Sequence, residues 1–132
     1  MNFDVQKSDQ QWREQLSPAQ YEVLREAATE APFSGSVLHV DDEGVFTCAG
    51  CNQILFDTAQ KFDSGCGWPS FDACKPGTIL ERPDHSLGVT RTEILCARCG
   101  GHLGHVFNDG PTSTGLRYCV NSLAIDFDGS SN

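Results

Sequence analysis

Two Cys-x-x-Cys pairs, Cys48-Ala-Gly-Cys51 and Cys96-Ala-Arg-Cys99, constrain this chain more than any other feature. Each brings two thiols onto one tight turn, and two such turns facing each other complete a tetrahedral four-thiolate zinc site. The 44 residues between Cys51 and Cys96 exceed the spacing of a simple zinc ribbon, so the intervening segment is expected to be an insertion within the same domain. Glycines at Gly50, Gly100 and Gly101 ease the bending that lets backbone amides approach ligating sulfurs. A closed four-cysteine site has no position for water, so one structural Zn2+ per chain is expected to hold the fold without taking part in chemistry. Two other pairings stay open. Zinc on Cys96, Cys99, His102 and His105 crowds four ligands into a short stretch and orphans Cys48 and Cys51, and a disulfide within each pair needs an oxidising compartment.

Seven cysteines are an odd number, so a complete intramolecular disulfide framework is impossible. A reducing, cytoplasmic setting with metal binding or redox chemistry is the expectation. The 132 residues fit a single domain over 1–132, with a helical N-terminal part to about residue 33 and a frayed tail at 129–132. Nine basic against 18 acidic residues leave a net charge of -9, which repels a nucleic-acid backbone. The first residues show no basic segment leading into an apolar run, and no apolar stretch is long enough to cross a bilayer, so the chain reads as soluble and unexported, with no membrane partner.

Ser8-Asp-Gln-Gln11 and Ser17-Pro-Ala-Gln20 each pair a serine N-cap with glutamine three residues later, and Pro18 suits the first helical position. Two helices are predicted there. In the second, Tyr21, Leu24 and Ala28 form an apolar stripe while Glu22, Arg25 and Glu26 can face water. Beyond Pro32 the pattern turns to short β-branched and aromatic segments, with strands predicted at 36–40, 44–47, 78–81, 89–95, 104–107 and 116–127 and a hairpin turn at 41–44.

The remaining thiols carry the functional signal. Strand alternation puts Arg117, Cys119 and Asn121 on one face, so Cys119 sits with a cation that favours its thiolate and an amide that can orient a substrate or an imidazole. His105 and Phe107 share a face of a short strand, and Gly100, Gly101 and Gly104 permit a bend that brings His102 to the same place. Cys66 lies in Asp63-Ser-Gly-Cys66-Gly-Trp68-Pro-Ser-Phe71, a loop that cannot be regular helix or central strand. Its flanking glycines suit a mobile thiol that resolves a sulfenic acid, with Trp68 as one wall of an apolar pocket. The plain alternatives are a buried Cys119 acting as a small apolar residue, a histidine satisfied in the core, and an aromatic loop cap with an incidental cysteine. Cys74 has no partner by spacing and no assigned role.

Ser64-Gly-Cys66-Gly-Trp68-Pro-Ser-Phe71, Gly101-His102-Leu-Gly-His105-Val-Phe107-Asn-Asp-Gly-Pro111 and Gly115-Leu-Arg117-Tyr-Cys119-Val-Asn121-Ser122, between and beyond the two cysteine pairs, closely resemble the B-type methionine sulfoxide reductases. The resemblance extends from about Trp12 to Phe127 and includes Pro32-Phe-Ser-Gly35. It implies a mainly β fold of two antiparallel sheets with N-terminal helices, acting on the R epimer of methionine sulfoxide in proteins and peptides. Cys119 matches the nucleophile and Cys66 the resolving cysteine that some members carry. Trp68, His102, His105, Phe107 and Asn121 match positions lining the substrate pocket, and Arg117 is expected beside them. The implied cycle runs through a Cys119 sulfenic acid and a Cys66–Cys119 disulfide reduced by thioredoxin, in a monomer. Cys74 falls outside the family pattern. The rival class, a zinc-stabilised protein-interaction module, has no use for Cys119, Cys66 and the two histidines together, and a zinc hydrolase or deaminase needs an open metal position that four thiolates fill.

Overall fold

The computed structural model describes residues 3–40, 42–86 and 88–129. The two serine caps form as expected. Helix α1, Asp9–Gln15, and helix α2, Pro18–Glu26, each open on a complete capping box in which the serine hydroxyl accepts the backbone N–H three residues on. Trp12, Tyr21, Val23 and Leu24 are buried. Helix α2 ends in a left-handed Ala27, so Ala28 lies beyond it. Arg25 is only half-exposed: its guanidinium stacks on Trp12 and donates to the Cys99 carbonyl at 3.0 Å.

Among the described residues, nine strands follow in two antiparallel sheets. Strands β1 (Val45–Cys48), β2 (Ile54–Asp57) and β9 (Ile125–Asp128) form a three-stranded sheet in the order β2-β1-β9. Strands β3 (Lys61–Phe62), β4 (Ser70–Phe71), β5 (Ile79–Asp84), β6 (Arg91–Cys96), β7 (His102–Phe107) and β8 (Arg117–Val120) form a six-stranded sheet in the order β3-β4-β8-β7-β6-β5. The sheets meet through aromatic rings. Phe56 stacks on Phe71 at 4.1 Å between centroids, Phe46 meets Phe71 edge-on at 5.1 Å, and Phe56 meets Tyr118 at 5.9 Å. Phe46, Phe56 and Phe71 are fully excluded from solvent, so this cluster carries much of the apolar burial that joins the layers.

Several sequence expectations are corrected. Residues 36–40 form consecutive turns rather than a strand, with Leu38 N–H donating to Gly35 and Val40 N–H to Val37. Val37 is buried there and Val40 packs against the core, and with no strand before it the turn at 41–44, whose Asp41 lies outside the described residues, closes no hairpin. The predicted strand 116–127 is broken by a 3-10 turn at Ser122–Ala124, which lets the chain leave the large sheet as β8 and enter the small one as β9. The loop around Cys66 ends in an interior strand after all: Ser70 and Phe71 pair with both β3 and β8. Strand β5 runs on past 81 through Pro83 to Asp84, which is possible because it is the sheet's edge strand and its outer side needs no partner. Most of the tail at 129–132 lies outside the described residues.

Candidate active site and metal centre

The four paired cysteines converge. Cys48 and Cys99 lie 3.7 Å apart at their sulfurs, Cys51 and Cys96 3.5 Å, and all four Sγ atoms fall within 4.8 Å of one another. A metal about 2.3 Å from each of four thiolates requires sulfur–sulfur edges of about 3.8 Å, so the set has the dimensions of a closed tetrahedral site. Each pair sits on the same kind of knuckle: Asn52 N–H returns to the Cys48 carbonyl and Gly100 N–H to the Cys96 carbonyl. The Gly50 amide approaches Cys48 Sγ at 3.3 Å, as the glycine placement implied. The N-terminal helices brace both knuckles, with Gln15 donating to the Gly50 carbonyl and Arg25 to that of Cys99. The alternative set with His102 and His105 is not assembled, because both imidazoles bind carboxylates elsewhere.

Cys119 occupies the other region, on the face of the six-stranded sheet turned away from the aromatic core. Along β8, Tyr118 and Val120 are buried on the core side and Arg117 and Cys119 half-buried on the other. Cross-strand register sets one row of side chains on that face: Ser70, Cys119, His105, Glu93 and Arg82. Gly104 makes this register possible, since a Cβ there would stand 1.9 Å from the Cys119 carbonyl oxygen. His102 reaches the same face by a β-bulge. Leu95 pairs with His102 and Ile94 with Gly104, so Leu103 is the extra residue and its side chain drops into the core. The imidazoles lie 5.6 Å apart between centroids.

Both histidines are anchored. His102 Nδ1 lies 2.6 Å from Glu93 Oε2, and Arg82 Nε donates to Glu93 Oε1 at 2.6 Å. His105 Nε2 lies 2.7 Å from Asp84 Oδ2, which also accepts from Arg91 at 3.1 Å. Burial lowers the His102 pKa despite Glu93, and the His105 hydrogen bond holds the Asp84 carboxyl well below its ordinary range. Glu93 is 6% exposed yet ionised, because Arg82 and His102 outweigh its desolvation. None of Asp84, Glu93, Arg82 and Arg91 was singled out from sequence. A glutamate within the apolar run Thr92-Glu93-Ile94-Leu95 was the available signal, since a buried charge needs a partner.

Cys66 faces Cys119 with 3.8 Å between sulfurs. Gly65 and Gly67, at φ of 74° and 99°, shape its loop, and the Gly67 carbonyl accepts from Phe33 N–H. The two thiols differ. Burial and the adjacent Cys66 push Cys119 up to about 12 against the pull of Arg117, so the cation expected to favour a thiolate is outweighed. Burial also acts on Cys66, but the hydroxyls of Ser64 and Ser70 and the Cys119 thiol bring it down to about 7. Alkylation by iodoacetamide should therefore label Cys66 first, with a midpoint near pH 7, while Cys119 reacts only at much higher pH; peptide mapping that finds Cys119 labelled first at neutral pH would contradict this.

The other expected residues lie around this pair. Trp68 is fixed by its indole N–H, which donates to the Glu30 carbonyl at 3.0 Å. Asn121 is buried, its side chain accepting from Glu30 N–H and donating to the Leu103 carbonyl, so its amide braces the strand bearing the histidines and bonds to neither imidazole. Buried Glu30, missed from sequence, thus ties Trp68 to Asn121, and its carboxylate accepts from Leu123 N–H. Arg117 stacks on Phe107 at 4.4 Å and forks onto Asp109 at 2.8 and 3.0 Å. Cys74 Sγ contacts Tyr118 Oη at 3.8 Å on the core side of β8, across the sheet from Cys119.

The SelR domain matches residues 16–129 of this chain. The chain belongs to the B-type peptide methionine sulfoxide reductase family. Relatives bearing the name peptide methionine sulfoxide reductase MsrB include one from Bradyrhizobium diazoefficiens, 58% identical over 92% of this chain and 88% of the relative. Another, from Leptospira interrogans, is 51% identical over 96% and 98%. An archaeal one, from Methanosarcina barkeri, is 49% identical over 93% and 87%. The two thiols and the two histidines stand on one side of the six-stranded sheet, with Trp68 two residues beyond Cys66 in the same loop, separate from the four-cysteine cluster. Among the described residues no helix is long and apolar enough to cross a membrane.

Proposed function

We propose that the chain reduces methionine R-sulfoxide in peptides and proteins to methionine, with Cys119 as nucleophile and Cys66 as resolving thiol. The observation that carries this reading is the pair of sulfurs 3.8 Å apart on a face that also holds two anchored imidazoles. In the first step Cys119 sulfur attacks the sulfoxide sulfur and takes its oxygen. Thiol plus sulfoxide gives sulfenic acid plus thioether, so the proton Cys119 carries at neutral pH ends on the product and none is needed from solvent. His102 and His105 relay that proton and polarise the sulfoxide oxygen. Trp68 and Phe107 hold the methyl end of the substrate, Arg117 lines the pocket beside Phe107, and Asn121 keeps the histidine strand in place.

In the second step Cys66, ionised near pH 7, attacks the Cys119 sulfenic acid; a sulfur–sulfur bond forms and hydroxide leaves, to be protonated to water. A disulfide needs about 2.05 Å between sulfurs, so the loop carrying Cys66 closes by less than 2 Å. A dithiol protein such as thioredoxin then reduces the bond by exchange. Cys48, Cys51, Cys96 and Cys99 would hold a Zn2+ that cross-links the knuckles and would supply no chemistry, since four thiolates leave no open position. We place the protein in a reducing cytoplasm, as a monomeric single domain.

Single-turnover reduction of each sulfoxide epimer, with mass analysis of the cysteines, tests the reading; no methionine from the R epimer would sink it. Cys66→Ser should release one methionine per chain and then stall with thioredoxin, whereas Cys74→Ser should cycle normally because its thiol lies across the sheet. Sustained thioredoxin-dependent turnover in Cys66→Ser would remove the resolving step.

A further inference from the structure

The two histidines are held by unlike ring nitrogens, and the carboxylates that hold them are themselves held. His102 bonds Glu93 through Nδ1, which places the hydrogen there in the neutral ring and leaves Nε2 as the second nitrogen. His105 bonds Asp84 through Nε2 and leaves Nδ1. Each carboxylate has an arginine behind it, Arg82 on Glu93 and Arg91 on Asp84, so neither can turn away without breaking an ion pair. The cavity beside the rings, about 640 Å³, is lined by His102, His105, both carboxylates and both arginines. His102 is 4% exposed, and its Nε2 is buried with no hydrogen-bond partner. A buried ring nitrogen left without a partner costs free energy unless something arrives to use it.

We propose that Glu93 and Asp84 are positioning residues that lock the two imidazoles in opposite tautomers, so that His102 offers Nε2 and His105 offers Nδ1 to the sulfoxide group. One ring then presents an acceptor nitrogen whose partner site is held by Glu93, and the other an acceptor nitrogen whose partner site is held by Asp84. Both become donors when protonated, with the carboxylate stabilising the charge. The β-bulge at Leu103 makes this arrangement possible. In an unbulged strand His102 would point to the core, and Glu93 would face only His105, its cross-strand neighbour. This inference rests on the reductase reading for its substrate, but the tautomers exist without one.

Nitrogen-15 NMR of the histidine rings in the substrate-free protein reads the tautomers directly. The expected result is a neutral His102 protonated at Nδ1 and a neutral His105 protonated at Nε2. Glu93→Gln and Asp84→Asn should each blur the tautomer of their own histidine alone. Each should also lower kcat for R-sulfoxide by about 10-fold or more, the usual scale for a lost orienting partner, with KM little changed. Asp84→Glu, which restores a carboxylate, should recover part of the loss. Both rings in the same tautomer in the wild-type protein, or variants that change a tautomer without changing kcat, would overturn the proposal. A wild-type protein with the expected tautomers but no reduction of either epimer would overturn the reductase reading and leave the tautomer assignment standing.

Discussion

Cys119→Ser should lower methionine formation from R-sulfoxide by on the order of 10³-fold or more, the scale of other nucleophile deletions. The size follows from the chemistry. The sulfoxide oxygen has to move onto a second-row atom that can be oxidised, and a serine hydroxyl has no sulfenic-acid equivalent. The substitution is nearly isosteric at a half-buried position with no role in the aromatic core, so the melting temperature and bound metal should be unchanged. Residual single-turnover rate above about a thousandth of wild type, in a preparation free of wild-type protein, would mean that another thiol attacks the substrate. Cys66 is the only cysteine in contact with Cys119 among the described residues, and the double variant would identify it.

Cys48→Ser, Cys51→Ser, Cys96→Ser and Cys99→Ser should each lose metal and stability together. Structural four-cysteine zinc sites bind with about 10–16 kcal/mol, against a net domain stability of about 5–15 kcal/mol. Losing even about 3 kcal/mol lowers the melting temperature by about 10 °C in a domain of this size. The effect extends beyond the knuckles because α1, α2 and β7 lean on them: Gln15 and Arg25 bond the knuckle carbonyls, and His102 begins three residues after Cys99. Metal analysis and thermal unfolding on the same samples check this. A Cys48→Ser protein with full zinc and an unchanged melting temperature would remove the metal assignment.

Local chemistry was legible in advance. The capping boxes at Ser8 and Ser17 form because a serine and a glutamine three residues apart satisfy each other's neighbours within one turn, whatever lies around them. The Cys-x-x-Cys turns are equally local, and the convergence of their four sulfurs decides between the pairings the sequence left open. Arg25 was only partly legible, for the opposite reason. Its position on the helix suggested water, but Trp12 and the Cys99 carbonyl come from distant parts of the chain.

By itself, the sequence determined the family, both helices, the four converging cysteines and the identity of the two thiols and two histidines that share the site. The tertiary structure alone decided which strand faces meet on one side of the sheet. His102 joins His105 only because a bulge shifts register by one residue, and a one-residue shift inverts every side chain on a strand. Asp84 became a histidine partner because an edge strand tolerates Pro83. Cys66 stands 3.8 Å from Cys119, and Cys74 across the sheet from it, through pairings of β4 with β8 between residues about fifty apart. Caps and turns depend on neighbours three or four positions away, whereas register and facing depend on strands meeting at long range.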